Sequence, residues 1–340
     1  NTIDFDEELD RLIGQRVAAV GADGRLIWDK NDSVYNVNLT EKLLATVLSK
    51  LSNFIPEAGI WMNTQRPEWN DANNALVGYG VSMVTLYYTR RYQQYLLDLF
   101  SEVEFDQVEI STELVELLNS INSTFVDNRH LLEGKISDTD RRLILDRLGR
   151  AADSFRAGLY SHGFAGGRVA VETSQLIAFC QTSLEFIDHS IRANRRQDGL
   201  YHAYNLMTAT EDGIEITYLY EMLEGQVAVL SSGYLSPEES LAVLEALRQS
   251  ALYTERQNSY LLYPDRELSR FMDKNIIPPS QLQRSALLQA LVASGDSSLV
   301  ESNSQGGYHF NGAFNNVMSA QAAMESLAEN GYADLVAQDQ

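Results

Sequence analysis

Apolar residues recur at helical spacing through most of the chain. Leu43, Leu44, Val47, Leu48 and Leu51 fall on one face of a helix over about 40–54, with Thr40 as its expected N-cap. The longest such pattern runs over about 72–101. Others cover about 111–126, 137–158, 172–196, 237–252, 279–293 and 315–330. Ser236-Pro237-Glu238-Glu239 sets a capping residue and a first-turn proline ahead of one of them. Strand-like alternation is scarce. Val17–Trp28, broken by Asp23-Gly24, suggests a hairpin, and Ile214–Tyr220 reads as a strand or a helix start. No strict repeat or low-complexity linker divides the chain. The expectation is an all-α fold, a six-hairpin (α/α)6-toroid-like barrel with minor β-hairpin content. It would form one mostly helical domain over 1–340, with 1–35 as a β-containing lead-in. A full toroid needs twelve helices and the pattern supplies eight or nine. The barrel is therefore expected to be incomplete, a fragment of a larger protein whose remaining domains would be its partners.

Three connections between the helical patterns mix aromatic and hydrogen-bonding residues: Gly59–Asn74, Asp198–Asn205 and Tyr253–Arg266. Loops on a rigid scaffold are where binding residues concentrate. This composition suits sugars, since aromatic faces pack on the C–H faces of a pyranose while amides and carboxylates bond its hydroxyls.

The first connection is the densest. Gly59-Ile60-Trp61-Met62-Asn63-Thr64-Gln65-Arg66-Pro67-Glu68-Trp69-Asn70-Asp71-Ala72-Asn73-Asn74 holds two of the three tryptophans. Pro67 drives Arg66 away from helical geometry. Asp71 would make a good N-cap for a helix from about Ala72, and Asn70 could serve equally. Capping needs one such residue and does not explain Arg66, Glu68, Trp69 and Asn73 beside it, so the cluster reads as functional. In the second connection His202 stands between Tyr201 and Tyr204, where it could bond a sugar hydroxyl, move a proton or simply pack.

Composition narrows the partners. A net charge of −21 repels phosphate backbones and anionic lipid, which argues against nucleic acid and membrane. No apolar stretch reaches spanning length, and a cytoplasmic location is favoured. The single cysteine, Cys180, lies in an apolar run and reads as a buried, inert thiol. The five histidines show no metal-ligand spacing, so no metal is expected. Gly-x-Ser-x-Gly is absent.

Glu68-Trp69-Asn70-Asp71-Ala72-Asn73-Asn74 resembles the Asp-Trp-Asn-Asp-x-x-Asn signature of cellobiose and chitobiose phosphorylase-type enzymes. The resemblance implies an (α/α)6 barrel in which Asp71 is the general acid, protonating the glycosidic oxygen as phosphate attacks the anomeric carbon with inversion. Trp69, Asn70 and Asn74 would shape the donor subsite. Glu68 stands where that family has an aspartate. Gly59–Gly80, Asp198–Asn205 and Tyr260–Asp265 together are similar to a family of very large uncharacterised bacterial proteins.

The family's Thr-Gly-Ser-type phosphate loop has no counterpart, because Gly295-Asp296-Ser297-Ser298 does not match it. Phosphorolysis and hydrolysis therefore both stay open. An inverting hydrolase would need a second carboxylate roughly 6.5–9.5 Å from the acid. Glu221, Glu224 and Asp265 are unranked for that task. The expected function is a carbohydrate-active domain that cleaves or transfers a glycosidic bond with inversion. Its catalytic residues would be Asp71 and Glu68, and its substrate-binding residues Arg66, Trp69, Asn70, Asn73, Asn74, Tyr201, His202 and Tyr204. The substrate would be an oligosaccharide or glycoside. No cofactor is expected, with inorganic phosphate as the conceivable co-substrate. The alternative is a non-catalytic carbohydrate-binding or scaffolding domain.

Overall fold

A computed structural model describes residues 5–29, 33–62, 76, 78–265 and 275–339. The chain divides into two compact units, Asn1–Asp265 and Arg266–Gln340, each described by itself.

The first unit is built on helices α1 (Glu7–Val20), α2 (Leu39–Leu51), α3 (Met83–Glu102), α4 (Thr112–Asp127), α5 (Asp138–His162), α6 (Thr173–Ala193), α7 (Leu223–Ser231) and α8 (Pro237–Gln249). In α4 the buried residues Leu114, Leu117, Leu118, Ile121 and Phe125 repeat at helical spacing and give one apolar face. That face meets Phe54 and Phe186, with ring centroids 5.9 and 4.9 Å from Phe125. Leu44 and Leu48 of α2, Leu86 and Phe100 of α3, and Ile187 of α6 belong to the same core. Each side chain buried there contributes about 1.5–3 kcal/mol.

The all-α expectation is corrected by a five-stranded antiparallel sheet in the order β1-β2-β3-β6-β7. Its strands are Phe54–Ile55 (β1), Gly59–Trp61 (β2), Gly80–Ser82 (β3), Tyr204–Ala209 (β6) and Ile214–Tyr218 (β7). A second pairing joins β4 (Gln107–Ser111) to β5 (Arg168–Glu172). The connections between α2 and α3, and between α6 and α7, are therefore paired strands and not plain turns. One face of the sheet carries Ile55, Val81 and Ile214 with Trp61, Met207 and Ile216, which pack with Leu145 of α5. Ile60 points into the helical core. Alternation is the reason: successive residues of a strand face opposite sides.

Several local expectations shift. The N-cap of α2 is Asn38, whose side chain accepts from Glu41 N, and not Thr40. Helix α3 begins at Met83 behind the Ser82 cap, well after residue 72. Val17–Trp28 is not a hairpin: α1 runs to Val20, and Asp23-Gly24 lies in a short 3-10 turn over Gly21–Arg25. The β content of 1–35 is a lone bridge, Trp28 to Val34, among the described residues. The Ser236 cap does form, as a full capping box with Glu239 and with Pro237 in the first turn.

The second unit holds short helices α9 (Pro279–Arg284), α10 (Ala286–Ser294), α11 (Val317–Leu327) and α12 (Ala333–Asp339). They accompany a three-stranded antiparallel sheet of Ile276–Ile277, Tyr308–Phe310 and Val300–Ser302, in that order. Leu287, Leu291, Leu299, Val300, Leu327 and Val336 form its core. The Asp339 carboxylate accepts from Ser285 Oγ at 2.7 Å and Leu287 N at 2.8 Å, so the last helix caps the start of α10.

Candidate functional site

The residues Arg66, Glu68, Trp69, Asn70, Asp71, Asn73 and Asn74 lie outside the described residues. The structure does describe where their segment leaves and rejoins the fold. Strands β2 and β3 pair antiparallel, Trp61 opposite Val81. Met62 N donates to Gly80 O at 2.9 Å, Trp61 Nε1 donates to Gly78 O at 3.0 Å, and Gly80 N donates to Leu76 O at 2.7 Å. Met62 and Leu76 are thereby held at one end of a single strand pair. Gly80 is required there, since a Cβ would stand 2.4 Å from Leu76 Cβ and 2.7 Å from Leu76 O. Gly78 and Gly80, which fall inside the helical pattern over about 72–101, instead serve this junction. Gly78 takes φ +87°, and Gly80 opens β3.

Leu76 is buried against Ala203, Tyr204 and Met222, with Met62, Leu206 and Leu219 beside them. The flanks of the first connection thus rest on the second, Asp198–Asn205. The start of that segment is a charged turn. Arg196 grips the Asp198 carboxylate, with Nη2 to Oδ2 at 2.7 Å, and reaches Glu221 at 3.1 Å. Burial pushes the Asp198 carboxyl up. Hydrogen bonds from Arg196 and Leu200 N, together with the guanidinium charge, outweigh that and hold it below its ordinary value.

Tyr201 is buried, edge-on to Tyr87, and its backbone is clasped by the Gln226 amide: Tyr201 N donates to Gln226 Oε1 at 2.9 Å, and Gln226 Nε2 donates to Tyr201 O at 2.8 Å. His202 is more open. Its ring stacks on Tyr218 at 4.7 Å, and its Nδ1 lies 3.1 Å from Leu219 O. A carbonyl partner requires Nδ1–H, which leaves the Nε2 lone pair as an acceptor. Burial, then the Arg196 charge, lowers the His202 pKa from 6.5 to about 4, against the opposing pull of Leu219 O and Asp198. The imidazole is therefore neutral near pH 7. Tyr204 is buried, and its hydroxyl donates to Glu224 Oε2 at 2.7 Å.

The third connection reaches the same region. Leu223 N donates to Leu262 O at 3.1 Å, and the rings of Tyr220 and Tyr263 meet edge-to-face at 6.5 Å. Residues 219–224 thus join all three connections that the sequence singles out. Of the three carboxylates left unranked, Glu221 is paired with Arg196, Glu224 is held by Tyr204, and Asp265 is exposed.

Sequence reasoning missed a buried polar network beneath these segments. Glu57, at the tip of the β1–β2 turn, is buried with φ +59°. Its carboxylate accepts from Arg141 Nη2 at 2.6 Å and Ile136 N at 3.1 Å. Its backbone N donates to Ser190 Oγ at 2.9 Å, and its carbonyl accepts from Asn194 Nδ2 at 2.8 Å. Asn205 Nδ2 donates to Ala58 O at 2.9 Å and to Asn194 Oδ1 at 2.8 Å. Pro56-Glu57-Ala58-Gly59 reads as an ordinary turn, and the partners come from three distant stretches, so no local signal marks them.

Among the described residues, no group of His, Cys, Asp and Glu could hold a metal ion, and no helix is long and apolar enough to cross a membrane.

A family model described as GH149 phosphorylase insertion domain 2 matches residues 268–340. The match supports a relationship to glycoside phosphorylases. It does not extend to Arg66–Asn74, and it does not single out the cellobiose or chitobiose type. No curated protein matches the chain.

Proposed function

We propose that the chain is part of a glycoside phosphorylase acting on an oligosaccharide, with Asp71 as the general acid. The observation that carries this reading is the match of residues 268–340 to a phosphorylase insertion domain. In the proposed reaction Asp71 gives its proton to the glycosidic oxygen while a phosphate oxygen attacks the anomeric carbon from the opposite face. The bond to the departing sugar breaks as the C–O bond to phosphate forms, giving a sugar phosphate of inverted configuration and a free sugar. Trp69, Asn70, Asn73, Asn74 and Arg66 would bind the donor, and Glu68 would assist the acid. A neutral His202 suits a hydrogen-bond acceptor for a sugar hydroxyl better than a fixed cation for phosphate. The junction at Met62, Leu76 and Tyr204 supports placing Asp71 and His202 in one site, because both segments are anchored there.

The test is a panel of oligosaccharides incubated with the longest chain that carries these residues, with and without inorganic phosphate. Sugar phosphate should appear in step with phosphate consumed. Asp71→Asn should lower kcat by roughly 10²–10⁴-fold, the range for loss of a general acid. Full turnover by Asp71→Asn would remove the acid assignment. Cleavage that proceeds equally without phosphate would redirect the reading to hydrolysis. Saccharide binding without turnover, unchanged in Asp71→Asn, would favour a binding domain.

A further inference from the structure

Two surfaces of the first unit are complementary in shape and charge. The first belongs to α1 and the turn behind it, which fold on each other. A Cβ on Gly24 would stand 2.4 Å from Val17 N, Trp28 Nε1 donates to Asp23 O at 2.9 Å, and the Arg16 guanidinium lies 5.6 Å from the Trp28 ring centroid. No residue of α1 is buried. Phe5, Leu9, Leu12, Val20, Leu26 and Ile27 are each between 40% and 73% exposed. Leu9, Leu12 and Val20 fall on one face of the helix. That much apolar side chain left open in one short stretch marks an interaction surface.

The second surface is a groove of about 560 Å³ between α4 and α5. The two helices run antiparallel. Arg147 Nη1 pairs with Asp127 at 3.3 Å at one end, and at the other Ala165, just past α5, donates its N–H to Glu113 Oε1 at 2.7 Å. Leu117, Ala151 and Phe155 supply apolar surface, and Ser120, Ser154 and Gly158 are small enough to let another helix lie close. The groove is polarised, with Arg147 and Arg150 towards one end and Glu113 and Glu116 towards the other. No residue of α1 lines it.

Helix α1 carries the matching polarity. Asp6, Glu7, Glu8 and Asp10 crowd its start, and Arg16 and Arg25 follow. From Glu8 to Arg16, and from Arg150 to Gly158, the helix advances by about 12 Å in each case. Laid with its acidic start on Arg147 and Arg150, α1 runs antiparallel to α4 and brings Arg16 to Glu113 and Glu116. Its apolar face then meets Leu117 and Phe155. The opposite direction sets acid against acid.

We propose that this groove receives α1 of a second copy of the chain. Two copies that exchange α1 make the same contact twice and close a two-fold pair, so assembly stops at a dimer. The pairing does not depend on the phosphorylase reading.

The full chain is followed by sedimentation velocity over a concentration series. The expected result is a reversible dimer. Leu9→Asp on α1 and Gly158→Trp in the groove should each raise its dissociation constant at least about tenfold. Leu9 is exposed and a Cβ on Gly158 meets nothing within 4 Å, so neither change disturbs the folded chain, which circular dichroism checks. Glu8→Arg and Arg150→Glu should each weaken the dimer, and together return it to within about threefold of the parent, a rescue that requires the two positions to meet. A chain that stays monomeric at every concentration overturns the proposal, whether or not its α1 amides are protected by folding back on the same chain. So does a dimer that neither Leu9→Asp nor Gly158→Trp weakens, which places the interface elsewhere.

Discussion

His202 offers the sharpest quantitative check on the site. Its folded pKa is about 4 against an ordinary 6.5, lowered first by burial and then by Arg196. Because the folded value lies below the unfolded one, the unfolded chain binds the proton more readily between those two values. The stabilisation from a neutral His202 is fully present above pH 6.5 and drains away as the pH falls towards 4. The drop from 6.5 to about 4, at 1.36 kcal/mol per pH unit, sets a ceiling of about 3.4 kcal/mol. The ring is only partly buried, and solvent screening reduces this to about 1–2 kcal/mol. His202→Asn keeps an N–H donor near Leu219 O and removes the titration. Urea unfolding of parent and variant at intervals from pH 4.5 to 7.5 should show the parent losing about 1–2 kcal/mol more than the variant on acidification. An NMR titration should show the His202 ring still neutral at pH 5.5. A ring that titrates near 6.5, or parallel stability curves for the two proteins, would refute both the burial and the Arg196 argument.

Two further outcomes test the surroundings. Gly80→Ala should destabilise the first unit by about 1–3 kcal/mol in urea unfolding, because the new methyl meets the Leu76 carbonyl, backbone that cannot swing aside. It should also lower saccharide affinity if segment 63–75 binds the donor. Burial pushes the Cys180 thiol up to about 12 and leaves it without exposed surface. A disulfide reagent at pH 8 should therefore leave the native chain unlabelled and react stoichiometrically once it is unfolded; rapid native labelling would contradict the buried, inert reading.

Helices α2, α4, α5 and α6 were legible because each buries a stripe wide enough to show in the sequence, as the Leu114–Phe125 face does. The sheet was not. Its strands near the motif span two or three residues, too few for alternation to register. Gly78 and Gly80 fall within the helical pattern over about 72–101, yet they are the positive φ and the close approach that a strand junction demands. The hairpin expected at Asp23-Gly24 failed for the converse reason. Leu9, Ile13, Val17 and Val20 carry a helical period that outweighs one turn dipeptide. At the site, aromatic and amide composition marked the three connections, and these do converge on residues 219–224. Composition could not show that Tyr201 is core while His202 is held by a carbonyl, since that depends on Gln226, Tyr87 and Leu219.

The sheet also changes what kind of scaffold the proposed chemistry would use. In a helix-only toroid, loops at one end are spaced by helix packing, which tolerates small slides between neighbours. Here β3 pairs with β6 in fixed register, Gly80 with Leu206 and Ser82 with Tyr204. A shift of one residue would turn every side chain on β6 to the opposite face. Strand β3 and the loop that carries His202 are thus spaced by backbone hydrogen bonds, more than a hundred residues apart in sequence. A register of that kind fixes direction along the strands but leaves the sheet free to twist. The Glu57 carboxylate ties the β1–β2 turn to Arg141 of α5 and to Ile136 N.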